Sequence, residues 1–246
     1  MEKVAFVALA KNPTLESFKT RLFNDTKSIP IVARTYELLL QITNETLSEI
    51  QKHNSIVHSY WAMNCEAAQM PDYLSQEIGL IKQGLGTLGD RLHNVYSTLK
   101  ASHRSVIIVG SDLPFLNYKI ISETLLQLSS SDVVIGPSDD GGFYLFAARI
   151  PLADPFWTEI EYSRSTTLDQ MTRTLRAAGI SISFLKSMTD IDDLKSFSEA
   201  ISELKQLDNR SYLQDKLVHY FINDVLTNQK TLELDPTDQS FQHKVP

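Results

Sequence analysis

Five short stretches carry residue types and spacings that could do phosphate or metal chemistry. In "KNPTLESFKTRL" (11–22), Lys11, Lys19 and Arg21 follow directly on an apolar run. Arg contacts a diphosphate by a two-pronged fork and Lys as a point charge, so the cluster could neutralise one; the alternative is a solvated basic turn. "VGSDLPFL" leaves Ser111 and Asp112 just past a second apolar run. A carboxylate there is costly unless it is solvated or paired with a cation. Mg²⁺ or Mn²⁺, bound through one or two carboxylates and ligand phosphates, would satisfy it; otherwise Asp112 caps the helix starting near Asn117 or the turn at Pro114. "GPSDDGGFY" sets Asp139 and Asp140 beside Gly141 and Gly142. Adjacent carboxylates repel, and one can stay protonated unless a cation or donor is near, so Asp140 could do more than turn the chain. Asp-Gly is also a strong hairpin signal, and the two roles are compatible. In "DIDDL" (190–194) an acidic knot precedes a helix, as a capping device or with Asp192 as a second metal ligand.

The fifth stretch, "GLGTLG", matches G-x-G-x-x-G through Gly84, Gly86 and Gly89. A dinucleotide fingerprint needs a strand directly before it, and "EIGLIKQ" is a poor strand. The glycines read better as a loop crossing the rim of a site, where backbone can approach a ligand closely. No P-loop motif, His-x-x-x-His pair or G-x-S-x-G elbow occurs, which argues against P-loop NTPases and serine hydrolases.

Helices and strands must bring these stretches together. Continuous apolar runs at 4–10, 105–110 and 132–136 predict strands buried on both faces, with further strands at 55–62, 142–148 and 180–185. Helical spacing covers 31–50, 88–99, 120–128, 168–178 and 191–207, with Ser165 or Thr166 a candidate cap. This alternation implies an α/β fold: a mostly parallel mixed sheet flanked by helices, with one antiparallel pairing where 132–136 and 142–148 adjoin. Ligands in such sheets sit beyond the carboxyl ends of strands, which singles out 11–22, 110–116 and 136–142. A further amphipathic helix, 211–228, carries Leu213, Leu217, Phe221 and Val225 in register and could pack on the domain or on a second copy.

The 246 residues fit one large domain, and a net charge of −7 disfavours nucleic acid or anionic membrane as a partner. The single cysteine, Cys65, excludes an internal disulfide and reads as a small buried hydrophobe. No apolar run reaches signal-peptide or membrane-span length, so a cytoplasmic protein is expected.

In order and content, "KNPTLESFKTRL", "QGLGTLGDRL", "GSDLPFL", "GPSDDGGFYL" and "DIDDL" resemble the DUF2064 family of bacterial GT-A-like transferases, over roughly residues 3–195. These are often labelled radical SAM- or selenium-associated glycosyltransferases, and the fold is similar to that of cofactor guanylyltransferases. The resemblance implies a nucleotide-diphospho-sugar transferase-like domain, taken as 1–208, to which the residue pattern adds a helical extension over 209–230 and a polar tail over 231–246. It also implies that Lys11, Lys19, Arg21 and Ser111 meet nucleotide phosphates and that Asp112 and Asp192 bind Mg²⁺ or Mn²⁺. Asp140 would be the catalytic base, with Gly84, Gly86, Asp139, Gly141 and Gly142 on the substrate side. The expected ligands are a nucleotide sugar or NTP and a small-molecule acceptor, in a monomer or homodimer. Two positions depart from the family pattern: Glu16 stands where glycine is usual, and Thr87 where an acid is. They raise the alternative of an inactive binding protein or scaffold.

Overall fold

The computed structural model describes residues 3–234. Its centre is a seven-stranded sheet in the order β3-β2-β1-β4-β6-β5-β7. The strands are β1 (Val4–Leu9), β2 (Val57–Ala62), β3 (Gly79–Ile81), β4 (Ser105–Gly110), β5 (Val133–Pro137), β6 (Phe143–Ala148) and β7 (Ile182–Phe184). All neighbours run parallel except β6, which is antiparallel to both β4 and β5. There are thus two antiparallel pairings, not the one expected. The short 138–142 turn returns β6 beside β5, and β6 then fills the slot next to β4. β3 corrects the reading of "EIGLIKQ": its three residues are too few to show alternation, and pairing with Tyr60–Ala62 makes them a strand.

Alternation along the central strands splits the core into two layers. Phe6, Ala8, Ile107 and Val109 face one side, where α2 (Ile29–His53), α4 (Tyr118–Gln127) and α7 (Leu194–Leu204) bury Leu39, Ile121 and Phe197. Ala5, Val7, Val106 and Ile108 face the other, against Tyr96 of α3 (Leu88–Lys100), Trp157 of α5 (Pro155–Thr158) and Leu175 of α6 (Thr167–Ala177). Each fully buried Val, Leu, Ile or Phe among these contributes about 1.5–3 kcal/mol. Cys65 is buried, as its type suggested.

The 211–228 pattern is α8 (Tyr212–Tyr220), a π-helical turn over Phe221–Val225 and α9 (Leu226–Leu234). It packs on its own chain: the Phe197 and Phe221 rings meet at 4.6 Å, and buried Gln214 donates to the Pro114 carbonyl at 2.9 Å. Of the expected tail, 231–234 belong to α9, and the rest lies outside the described residues. Among the described residues, no helix is long and apolar enough to cross a membrane.

Strand register sets the site. Leu9 pairs level with Ala62 and Gly110, and Ala62 with Ile81, so four parallel strands end on one line. Because β6 runs backwards, the turn that precedes it opens on the same edge.

Candidate functional site

At that edge lies a cleft of about 560 Å³, a size typical of small-ligand sites. Its first wall is the loop after β1. Buried Asn12 organises that loop: its Oδ1 accepts from the Thr14 amide at 2.9 Å and the Thr14 hydroxyl at 2.7 Å, while Nδ2 donates to the Gln69 carbonyl at 2.8 Å. The Tyr36 hydroxyl accepts from the Lys11 amide at 2.9 Å, and Phe18 stacks on the Tyr36 ring at 4.5 Å. Gln83 donates to the carbonyls of Ala10 and Ala62, tying the loop to the ends of two strands. The loop ends at Lys19, whose φ of 47° is left-handed. A lysine adopts that conformation rarely and at some cost. It opens α1 (Thr20–Thr26), a helix the sequence reading left within the loop.

The Lys19 ammonium, with only 5 % of its side chain exposed, lies 2.9 Å from Asp112 Oδ2 and 3.1 Å from Asp192 Oδ1. Burial works to lower its pKa, but the two carboxylates outweigh burial and hold it above the ordinary value. Arg21, 60 % exposed, sits outside the cleft wall and pairs with Asp192 at 3.3 Å. Lys11 lines the cleft and donates to the Ser17 carbonyl at 2.7 Å. Two of the three cations expected to grip phosphate are therefore already matched by acids.

The acids arrive from separate elements. Asp112 follows β4 with buried Ser111 before it, and its carbonyl accepts the Ile191 amide at 3.0 Å, which docks the 190–192 segment beside the strand end. Asn117, not Asp112, caps α4. In "DIDDL" both expected roles occur, on different residues: Asp193 caps α7, accepting from the Ser196 amide at 2.8 Å, while Asp192 faces Lys19. Asp190 also lines the cleft. Burial above all, then the charges of Asp112, Asp140 and Asp192, push its carboxyl up to about 7, with Lys19 opposing.

Between its ordinary pKa near 3.8 and the folded value of about 7, the native state holds a proton on Asp190 that the unfolded chain has lost. Stability from this group therefore falls as pH rises through that window, and the penalty is complete above pH 7. Asp190→Asn is expected to raise Tm at pH 8 in EDTA by a few degrees, on the order of 1–2 kcal/mol after discounting for partial exposure. The gain should vanish near pH 4; a gain independent of pH would contradict the assignment.

The opposite lip is the 138–142 turn. Asp140 Oδ1 accepts from the Ser138 hydroxyl at 2.6 Å and the Gly142 amide at 2.9 Å, so Asp140 closes the turn and also lines the cleft. Asp139 turns away: its carboxylate accepts from the Ser187 hydroxyl and, at 2.8 Å, from Thr189. Gly142 lines the cleft, and Gly141 is not part of its lining. On the rim, Gly86 lines the cleft, while Gly84 is held through Asn64 and carries a φ of 86°.

Both departures from the family pattern have local partners. Glu16 accepts the Asn12 amide at 3.1 Å and lies 3.7 Å from Arg91. Thr87 caps α3, with Asp90 reaching back to its amide at 2.7 Å. For α6, Thr166 occupies the cap position but makes no capping bond, and the Thr167 hydroxyl instead ties down the carbonyls of Glu161 and Arg164. The sequence reading passed over Arg91, Arg164 and Asp190, which all line the cleft. Arg91 and Asp190 stand inside the quoted motifs; nothing local marks Arg164.

Asp112 and Asp192 direct carboxylate oxygens at one point, the donor chemistry that suits Mg²⁺ or Mn²⁺. The Lys19 ammonium shows that this point accepts a cation. Among the described residues, no three His, Cys, Asp or Glu side chains form a ready metal cage, so further ligands would have to come from a bound anion or water.

No curated protein matches this sequence. The solved structures do. A protein assigned as a nucleotide-diphospho-sugar transferase, from Desulfovibrio desulfuricans G20, superposes with a TM-score of 0.78 at 19 % identity, over 94 % of this chain and 98 % of its own. The 4-diphosphocytidyl-2C-methyl-D-erythritol synthase of Anaerococcus prevotii DSM 20548 gives 0.54 at 11 % identity, over 83 % and 97 %. A cytidylyltransferase from Leptospira borgpetersenii serovar Hardjo-bovis (strain JB197) gives 0.53 at 11 %, over 93 % and 98 %. These likenesses establish a nucleotide-diphospho-sugar transferase-like α/β fold. Residues 46–164 match the model of DUF2064, the family described as uncharacterized protein conserved in bacteria.

Proposed function

We propose that the chain is a transferase that takes a nucleotide-activated donor, a nucleotide sugar, and passes its activated group to a small-molecule acceptor. One observation carries this reading: a strand-end cleft lined both by Asp112, Asp190 and Asp192 and by Lys11, Arg91 and Arg164. Acids and cations in one cleft suit a diphosphate bound with a cation. A Mg²⁺ or Mn²⁺ ion held by Asp112 and Asp192 would supply neutralisation of the diphosphate charge. The chain's own cations, Lys11, Arg91 and Arg164, orient the phosphates. Asp140, on the facing lip, is the residue assigned to accept the proton of the acceptor hydroxyl.

Thermal melts with nucleotides and nucleotide sugars, each with Mg²⁺, Mn²⁺ or EDTA, test the reading. A ligand at a hundred times its Kd adds about 2.7 kcal/mol, a shift of several degrees for a chain of this size. The expected result is a metal-dependent shift with one nucleotide sugar. Asp112→Ala should lose the metal-dependent part of the shift and about 10²–10³ in turnover. A shift with NTP alone, with pyrophosphate released on adding an acceptor, would transfer the reading to nucleotidyl transfer. Tight binding without turnover on any acceptor would make the chain a binding module.

A further inference from the structure

We infer that Lys19 and a divalent cation exclude one another at the Asp112–Asp192 pair, so that the cleft takes the metal together with a polyphosphate anion that gives the displaced ammonium a new partner. The inference rests on the metal and phosphate assignments made above, and its argument is geometric. One nitrogen already lies 2.9 Å from Asp112 Oδ2 and 3.1 Å from Asp192 Oδ1. A Mg²⁺ ion binds carboxylate oxygen at about 2.0–2.1 Å, so an ion touching the same two oxygens would sit almost against the ammonium. Two like charges at that separation repel strongly.

The ammonium leaves the pair for water only at a cost. Its side chain is 5 % exposed, with Phe18 and Tyr36 beside it along the cleft wall. Leaving both carboxylates without another anion would strand a buried charge. A polyphosphate in the cleft supplies that anion. The backbone allows the exchange, because Lys19 is the last residue of the loop, at φ 47°, immediately before α1 begins. Arg21, 60 % exposed, meets Asp192 at Oδ2, not at the Oδ1 that Lys19 occupies. Metal and polyphosphate therefore each favour the arrangement that the other binds, which makes their binding mutually reinforcing.

The test uses the full chain and Mn²⁺ alone, with free Mn²⁺ followed by electron paramagnetic resonance and no nucleotide present. Lys19→Met is expected to bind Mn²⁺ at least about tenfold more tightly than the native chain, a difference worth about 1.4 kcal/mol. Lys19→Arg, which keeps the charge, should show no gain. Equal affinity in the native chain and Lys19→Met, or no Mn²⁺ binding by any variant, overturns the inference. Should Lys19→Met not fold, Lys19→Gln is read the same way. In the native chain, Mn²⁺ raised until half the sites are filled should accelerate acylation of Lys19, read by mass spectrometry, several-fold. An unchanged rate at that occupancy also overturns it. The nucleotide reading is judged separately, since a nucleotide-induced melt shift in EDTA would uphold it even if every Mn²⁺ result failed.

Discussion

The double change Asp112→Asn/Asp192→Asn is expected to cost on the order of 3–5 kcal/mol and to lower Tm by roughly 10 °C. The reason lies in the third member of the group. Lys19 meets its two acids at 2.9 and 3.1 Å with only 5 % of its side chain exposed, so neutralising both acids leaves a buried ammonium without the two carboxylates that hold it. The acids themselves are a third or more exposed and lose less when the roles are reversed. Lys19→Met on its own should therefore cost less than the double change, and the triple variant should recover most of the lost stability. Melts on the native chain and these variants decide it. If the triple variant is no more stable than the double, Lys19 is not the stranded charge.

Gly141→Ala is expected to destabilise by about 3 kcal/mol or more and to weaken every ligand of the cleft. Two effects coincide at this residue. Its φ is +89°, where a side chain is strained, and an added Cβ would lie 2.2 Å from the Ser165 carbonyl oxygen. The Gly141 carbonyl also accepts the Leu168 amide at 2.9 Å, so the turn and the start of α6 are joined at the point that would have to open. Arg164 and Thr167, which line the cleft, would shift with it. Gly179→Ala provides the contrast. That residue has a φ of +74° but no atom within 4 Å of the added Cβ, so about 1 kcal/mol of backbone strain is expected and no change at the cleft. Equal losses at the two glycines would remove the Ser165 contact as the cause.

Much of the fold was legible because it is written locally. The run "SVIIVG" is apolar throughout because β4 is covered on both faces, and its predicted bounds are those observed. The α2 pattern is equally clear, with a buried stripe from Ile31 to Ile50. Elements without a local signature were the ones missed. β3 has three residues, and α1 is a short helix with no side-chain cap. The second antiparallel pairing of β6 depends on which strand lies beyond it in the sheet, and no period along the chain encodes that.

The site divides the same way. Asp112 stood out at the end of a strand, Asp140 in a turn and Asp192 ahead of a helix, each from its neighbours in sequence. What each carboxylate would face was not legible. Lys19 is 93 residues from Asp112 and 173 from Asp192, and only the order of the sheet brings the loop after β1 beside the end of β4, to which the segment after β7 returns through the Ile191–Asp112 hydrogen bond. Residue type and local spacing determined which groups could do chemistry and on which edge they would emerge. Tertiary structure decided that the strongest cation of the cleft would be buried on its own acids, because a charge inside a protein takes the partner that packing sets against it.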